Sequence, residues 1–284
     1  MTDSKDKQDK VAAKPVLPVV NKRKQQQRRQ FLRSLMLAAG VVGISTMGYI
    51  PVARSWHPRL RPPGALDEAE FLASCIKCGQ CVQVCPVEAI KLADIMDGFG
   101  VGVPYVGARD QACDFSCDGL QCILACPTGA LSHDLNYPHE IRMGFARLDR
   151  PDLCLAMHGA GFKGQIRGAD FTGLFRYSEI DRWKPQRVHE QQFDLEICDL
   201  CITHCPIEIR IAQCEAGEPP SGDVNQCPPK HAIELRAEED RGDGVMRMRP
   251  VVLDGCVGCG ACEMVCPTEQ AAIVVDIEST VQRA

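Results

Sequence analysis

The chain has 284 residues, 45% of them apolar, and a formal net charge of −5 at pH 7. This length is sufficient for two domains that bury cores of their own, and the acidic balance argues against a general affinity for nucleic acid phosphates. Eighteen residues are cysteine. That number exceeds what packing alone requires, so the spacing of the cysteines should reveal the chemistry.

The N-terminal part of the chain is basic. Residues 1–61 contain 13 Lys and Arg against 3 Asp and Glu, whereas the remainder contains 19 against 34. Within the basic part, the sequence Arg-Arg-Gln-Phe-Leu-Arg at 28–33 precedes an apolar run over 34–50. Adjacent arginines before Phe-Leu are typical of a twin-arginine export signal. We therefore predict that residues 1–55 form a twin-arginine signal or a membrane anchor, in either case as a helix.

The segment after the apolar run decides between a cleaved signal and a retained anchor. No clear Ala-x-Ala pattern for cleavage occurs in 46–53. The 17-residue apolar run is at the lower limit of what crosses a bilayer. We expect a retained anchor, with the protein exported by the twin-arginine route, periplasmic, and tethered to the inner membrane. Residues 56–64, rich in Pro and Arg, are predicted to be a stiff linker.

Four groups of cysteines, each ending in Cys-Pro, dominate the rest of the chain. They are Cys75-Cys78-Cys81-Cys85-Pro86, Cys113-Cys117-Cys122-Cys126-Pro127, Cys198-Cys201-Cys205-Pro206 and Cys256-Cys259-Cys262-Cys266-Pro267. The first and last have the C-x2-C-x2-C-x3-C-P spacing of [4Fe–4S] sites, in which the fourth thiolate binds the neighbouring cluster. The pattern predicts a protein with several such clusters.

Other uses of cysteine fit the pattern less well. A structural zinc site needs only two Cys-x-x-Cys pairs, and tetrahedral coordination would leave many of these cysteines without a role. Disulfide-rich scaffolds are small domains with little hydrophobic core, whereas this chain has 284 residues of which 45% are apolar. No Cys-x-x-Cys is followed by His, which excludes attachment of a c-type haem.

A short apolar segment follows each Cys-Pro, so one local unit recurs four times along the chain. The 27 residues between Cys85 and Cys113 are enough for one hairpin that brings two cysteine loops together. We predict an α+β fold of two tandem dicluster modules of bacterial ferredoxin type, with loop insertions. The first module is predicted at 65–143 and the second at 144–284, with a strand over 145–149.

The third cysteine group lacks one ligand. Cys201 and Cys205 have the spacing of a third and fourth ligand, with Cys198 before them. The missing first ligand should then lie upstream, where Cys154 follows the predicted strand. Residues 155–197 would be a long insertion in the cluster loop.

A competing assignment uses Cys227, which is followed by Pro and is separated from Cys256 by 28 residues. In that scheme the three cysteines of the third group are the first three ligands and Cys227 is the fourth. We favour Cys154. Cys214 is spare in both schemes, and it could form a disulfide with Cys227 after export.

The twin arginines, the four cysteine motifs and the segment Cys198-Asp-Leu-Cys201-Ile-Thr-His-Cys205-Pro206 together resemble the NapG/MauM-type ferredoxins, accessory proteins of periplasmic nitrate reductase and methylamine dehydrogenase systems. The resemblance covers nearly the whole chain after Gln27. It implies electron transfer from the quinol pool, through a membrane polyferredoxin or another quinol-oxidising protein, to a periplasmic reductase, dehydrogenase or cytochrome.

The resemblance and the crossed ligation of dicluster ferredoxins together imply four [4Fe–4S] clusters. The expected ligand sets are Cys75, Cys78, Cys81 and Cys126 for cluster 1; Cys113, Cys117, Cys122 and Cys85 for cluster 2; Cys154, Cys198, Cys201 and Cys266 for cluster 3; and Cys256, Cys259, Cys262 and Cys205 for cluster 4.

The sequence contains no recognisable catalytic constellation. The glycines at 159–164 match G-x-G-x-x-G but do not follow a strand and open a helix. We predict a non-catalytic electron carrier; the alternatives are an iron–sulfur subunit of a dehydrogenase, hydrogenase or reductase, or a maturation factor. We expect His204 to be solvent-exposed, and the aromatic residues Phe171, Phe175, Tyr177 and Trp183 to pack the insertion onto its own module.

Overall fold

The computed structural model describes residues 22–54, 58–94, 97, 100–117, 119–175, 186–238, 242 and 244–277. The chain divides into two compact units, Met1–Arg54 and Ser55–Ala284. The twin arginines fall in the first unit, and the predicted linker falls in the second.

The described residues of the first unit form helix α1 over Lys22–Arg54. Its N-terminal part is rich in Lys, Arg and Gln, which favour helix, and its later part is apolar. Large apolar side chains such as Phe31 and Leu37 are 67% and 72% exposed. Among the residues that the structure describes, no helix is both long enough and apolar enough to cross a membrane.

The second unit is built from short helices and two-stranded antiparallel sheets. Its helices are α2 Glu68–Ser74, α3 Gln80–Gln83, α4 Gln121–Leu124, α5 Leu200–Thr203, α6 Pro206–Glu215 and α7 Ala261–Met264. Its strands are β1 Ile90–Leu92, β2 Pro104–Val106, β3 Phe145–Leu148, β4 Phe162–Gly164, β5 Leu174–Phe175, β6 Gln186–Arg187, β7 Phe193–Leu195, β8 Ile233–Ala237, β9 Met248–Val252 and β10 Ile273–Asp276. The mixed content is that of an α+β fold.

The hairpin predicted between Cys85 and Cys113 is present. β1 pairs with β2 in antiparallel register, with Ile90 opposite Val106. A single antiparallel bridge joins Ala65, ahead of the first cysteine loop, to Leu131, after the last Cys-Pro of this region. The bridge therefore joins the two ends of the 65–131 region, and the β1–β2 hairpin connects its two cysteine loops.

The same arrangement occurs again later in the chain. β8 pairs with β9 as a hairpin, and β3 pairs with β10, so that Phe145 lies opposite Asp276. The strand predicted over 145–149 is thus confirmed. The repetition is what the sequence repeat predicts for two ferredoxin-like modules; the boundary at 143–144 stays a prediction, because the second unit is continuous across it.

The described parts of the insertion, 155–175 and 186–197, form a lobe of two strand pairs, in which β4 pairs with β7 and β5 pairs with β6. Phe171 and Phe175 are both buried and join the main core. Their predicted role in packing the insertion is confirmed. Tyr177 and Trp183 lie outside the described residues.

The main hydrophobic core of the second unit contains fully buried side chains from both halves, including Phe71, Phe115 and Met264. A second, smaller cluster surrounds Cys154 and Cys266. The apolar segment after Cys205-Pro206 is helical, as the first turns of α6. Pro at the first helical position favours this, and Ile207 and Ile211, one turn apart, bury the same helix face.

Candidate metal centres

Site 1 is a cavity lined by four cysteines: Cys75, Cys78, Cys81 and Cys126. The end of α2 delivers Cys75, and the turn into α3 positions the next two. That turn needs Gly79 in the left-handed region, with φ +74°. Cys126 comes from the distant Cys-Pro after α4. Cys78 is exposed and Cys81 is buried, so the site lies near the surface.

Site 2 comprises Cys85, Cys113, Cys117 and Cys122. Burial raises the pKa of Cys113 well above its usual value, and the neighbouring sulfurs of Cys117, Cys85 and Cys122 raise it further. The pKa of Cys122 is raised by burial first and then by Cys117 and Cys85. These mutual effects place the four thiols of the predicted set together, with Cys85 coming from the Cys-Pro of the first loop.

Site 3 is a cavity lined by Cys154, Cys198, Cys201 and Cys266. Cys154 therefore lies where the favoured assignment of the third group requires it. The alternative ligand, Cys227, forms a disulfide with Cys214. A thiol in a disulfide does not ligate a cluster, so the structure brings together the set with Cys154.

Site 4 is a cavity lined by Cys205, Cys256, Cys259 and Cys262, and Cys201 forms part of the same wall. Gly258 and Gly260 permit the tight loop, with φ +71° and +88°. In sites 1 and 4 three sulfurs come from one loop and the fourth from a remote Cys-Pro. In site 3, Cys266 likewise comes from the last loop. Sulfurs that cross over in this way occur in two-cluster ferredoxins.

The donor sets fit [4Fe–4S] clusters. Within the described ranges, no three His, Cys, Asp or Glu side chains converge on a point where a single metal ion would bind. Four soft sulfur ligands instead surround each of the three cavities, an arrangement suited to a body larger than one ion.

Burial disfavours the thiolate form of several of these cysteines. It raises the pKa of Cys81 to about 11, and that of Cys198 to about 11. The pKa of Cys205 rises to about 12, again with burial as the largest cause. Iron compensates this cost, because a ligating thiol is deprotonated by the charge of the metal.

Backbone amides also point at the ligand sulfurs. The N–H groups of Leu131 and Ala272 donate to Sγ of Cys126 and Cys266, over 3.5 and 3.3 Å. Each donor lies a few residues after a Cys-Pro, where the chain turns back over its own cysteine. Such bonds stabilise sulfur ligands in their anionic state and tune the reduction potential.

His204 was expected to be exposed, and this is wrong: it is 4% exposed. Its ring lies 5.4 Å from the rings of Phe175 and Phe193, both in the inserted lobe. Burial lowers its pKa to about 4, so the imidazole is neutral at pH 7. Nothing in the local sequence indicates the lobe that covers it.

Arg109 is a second residue that the sequence does not single out. Its guanidinium donates to the carbonyl oxygens of Glu263 and Cys266, over 2.6 and 2.8 Å. These partners are more than 150 residues away, beyond the reach of any local sequence signal.

Comparison with known proteins agrees with this geometry. A 4Fe-4S dicluster domain model matches residues 74–130, and a 4Fe-4S binding domain model matches 250–270. No solved structure matches.

The chain is 34% identical to the ferredoxin-type protein NapG of Escherichia coli over 87% of its length and 84% of that protein. It is 30% identical to the methylamine utilization ferredoxin-type protein MauM of Methylorubrum extorquens, over 89% and 90% of the two chains. For MauM of Paracoccus denitrificans the identity is 32% over 84% and 83%. The chain, with its two ferredoxin-type 4Fe-4S domains, therefore belongs to the NapG and MauM family of ferredoxin-type iron–sulfur electron carriers.

Proposed function

We propose that this protein carries four [4Fe–4S] clusters and passes electrons from a membrane quinol-oxidising partner to a periplasmic redox enzyme, without a reaction of its own. One observation carries the proposal. Three cavities are each lined by the four cysteines of one predicted ligand set, and each includes a sulfur from a remote Cys-Pro. The thiols of the remaining set lie close enough to raise one another's pKa.

A bound cluster supplies one-electron chemistry at a potential that its surroundings tune. The chain supplies the rest. The cysteines would hold the iron. Buried apolar residues such as Phe71 and Leu131 line site 1 and keep water from it, and the N–H of Leu131 donates to Sγ of Cys126.

Charge and family membership support the choice of partners. The chain is acidic after residue 61, and bound clusters with their thiolates add negative charge. An acidic carrier associates fastest with a positively charged face on its partner. The relatives called MauM are named as methylamine utilization proteins. We therefore propose a membrane polyferredoxin or another quinol-oxidising protein as donor, and a periplasmic reductase, dehydrogenase or cytochrome as acceptor.

We also propose that the protein is exported by the twin-arginine route and stays tethered to the inner membrane by residues 1–55. The support is Arg28-Arg29 within α1, directly before the apolar part of that helix, where large side chains such as Phe31 and Leu37 are exposed. Replacing both arginines by lysine keeps the charge and should abolish export. If the double variant still reached the periplasm with its clusters bound, export by the twin-arginine route would be contradicted. If osmotic shock alone released the native protein, the membrane tether would be contradicted.

Iron and sulfide counting on anaerobically purified protein tests the number of clusters. We expect about sixteen irons per chain, and an EPR spectrum of the reduced protein with magnetically interacting centres. A count near twelve removes one site from the proposal. Colourless protein with zinc contradicts the proposal entirely.

A further inference from the structure

The loop that carries Cys113 lies against the loop that carries Cys259. The backbone N–H of Cys113 donates to the carbonyl oxygen of Cys259 over 3.3 Å. Gly260 allows the approach, because a Cβ at this position would lie 2.5 Å from the Cβ of Ala108. Site 2 and site 4 are therefore neighbours, although their loops belong to different halves of the sequence.

Arg109 stabilises this contact between the two loops. Its Nη1 donates to the carbonyl oxygens of Glu263 and Cys266, and its Nη2 to those of Thr268 and Glu269, over 2.5 to 3.2 Å. All four acceptors lie at the end of α7 or in the Cys-Pro turn after it. A planar guanidinium has five N–H donors and can bond to all four carbonyl oxygens, whereas a lysine ammonium has only three donors, all on one nitrogen.

The other two contacts lie within the halves. Cys201 lines both the site 3 and the site 4 cavity, so these sites share a wall. Helix α3, which contains Cys81, packs against α4, which contains Cys122. Site 1 thus adjoins site 2.

We infer that the four ligand sets form a single line in the order site 1, site 2, site 4, site 3, and that Arg109 is the positioning residue for its central step. This inference rests on the proposed function. Each one-electron step oxidises one site and reduces its neighbour; the donor and acceptor partners supply and remove the electron. The order differs from the order along the chain, and it leaves site 1, with its exposed Cys78, at one end.

Removing one site at a time from the full-length protein tests the order. The variants are Cys78→Ser, Cys117→Ser, Cys198→Ser and Cys262→Ser, which target sites 1, 2, 3 and 4. In the fully reduced state, loss of site 2 should leave site 1 as a magnetically isolated centre in EPR, and loss of site 4 should isolate site 3. Loss of site 1 or of site 3 should isolate none. An isolated centre after loss of an end site, or none after loss of a middle site, overturns the order.

Arg109 variants test the central step without removing a ligand, and they keep the inference falsifiable if a cysteine variant does not fold. Arg109→Ala should keep about sixteen irons yet lose the magnetic interaction between the halves, and Arg109→Lys should lose part of it. Arg142→Ala is the matched control, since Arg142 is exposed and donates to His139 and Ile141 in its own loop. An unchanged interaction in Arg109→Ala overturns the role of Arg109. An iron count well below sixteen in the unaltered protein instead overturns the proposed function.

Discussion

The backbone N–H of Ala89 donates to Sγ of Cys85 over 3.3 Å. The N–H of Ala272 makes the same bond to Cys266, also over 3.3 Å. In both cases the proline after the cysteine turns the chain, and the following apolar strand returns past the sulfur. The Cys-Pro motif therefore places its cysteine in the neighbouring ligand set, and the chain just after it provides a backbone N–H that donates to that sulfur.

Iron content distinguishes Cys154 from Cys227 as the missing ligand of the third cysteine group. Cys154→Ser should remove about a quarter of the iron, because Cys154 lines site 3. Cys227→Ser should leave the iron content unchanged. It should lower stability by about 3 kcal/mol, the value expected for a disulfide that closes a loop of this size.

Iron analysis and thermal unfolding of both variants check this. Cys214→Ser is the matched control, since it breaks the same disulfide from the other side. Iron loss in Cys227→Ser but not in Cys154→Ser would reverse the assignment.

A methyl group at Gly258 should disrupt site 4. The residue has φ +71°, and a Cβ there would lie 2.3 Å from the carbonyl oxygen of Gly144. Gly258→Ala should therefore cost about 3 kcal/mol, from strain and from displacement of the backbone between Cys256 and Cys259. At Gly129, φ is +68° but a Cβ would meet no atom within 4 Å. Gly129→Ala should cost about 1 kcal/mol. Thermal midpoints compare the two; equal losses would mean that backbone strain alone decides.

Glu208 should join α6 to the start of β8. Its carboxylate accepts from the N–H groups of Ala232 and Ile233, over 2.6 and 3.1 Å, and from His231 Nδ1 over 2.8 Å. Glu208→Ala should cost about 2 kcal/mol, as expected for hydrogen bonds to a charged group. Asp194→Ala breaks only an exposed pair with Lys163 and should cost less than about 0.5 kcal/mol. Denaturant unfolding measures both changes.

The same contact predicts a dependence on pH. The hydrogen bond to Glu208 raises the pKa of His231 above its usual 6.5. A raised pKa in the folded state stabilises the fold below pH 6.5, and this contribution is lost as the pH rises through the folded-state pKa. The Glu208→Ala variant should lack this part of the pH profile. A change in the opposite direction would mean that His231 is bound as the neutral imidazole.

The cysteine spacing and the prolines were sufficient to predict the chemistry, because a cluster loop is local: Cys75, Cys78 and Cys81 lie within seven residues. The hairpin between Cys85 and Cys113 followed from loop length, and the strand at 145–149 from its apolar pattern. The repeats also suggested which remote sulfur completes each set. The buried state of His204 could not be read in this way, since the residues that cover it come from a lobe with no characteristic motif.

By itself, the sequence determined which residues can bind iron, since sulfur chemistry and loop spacing are properties of a few adjacent positions. The sequence favoured Cys154 over Cys227 without settling the choice, and the tertiary structure decided it by placing Cys154 in site 3 and bonding Cys227 to Cys214. Only the tertiary structure showed that Arg109 reaches the turn after α7. Such contacts depend on which distant segments pack together, and local spacing alone does not fix them.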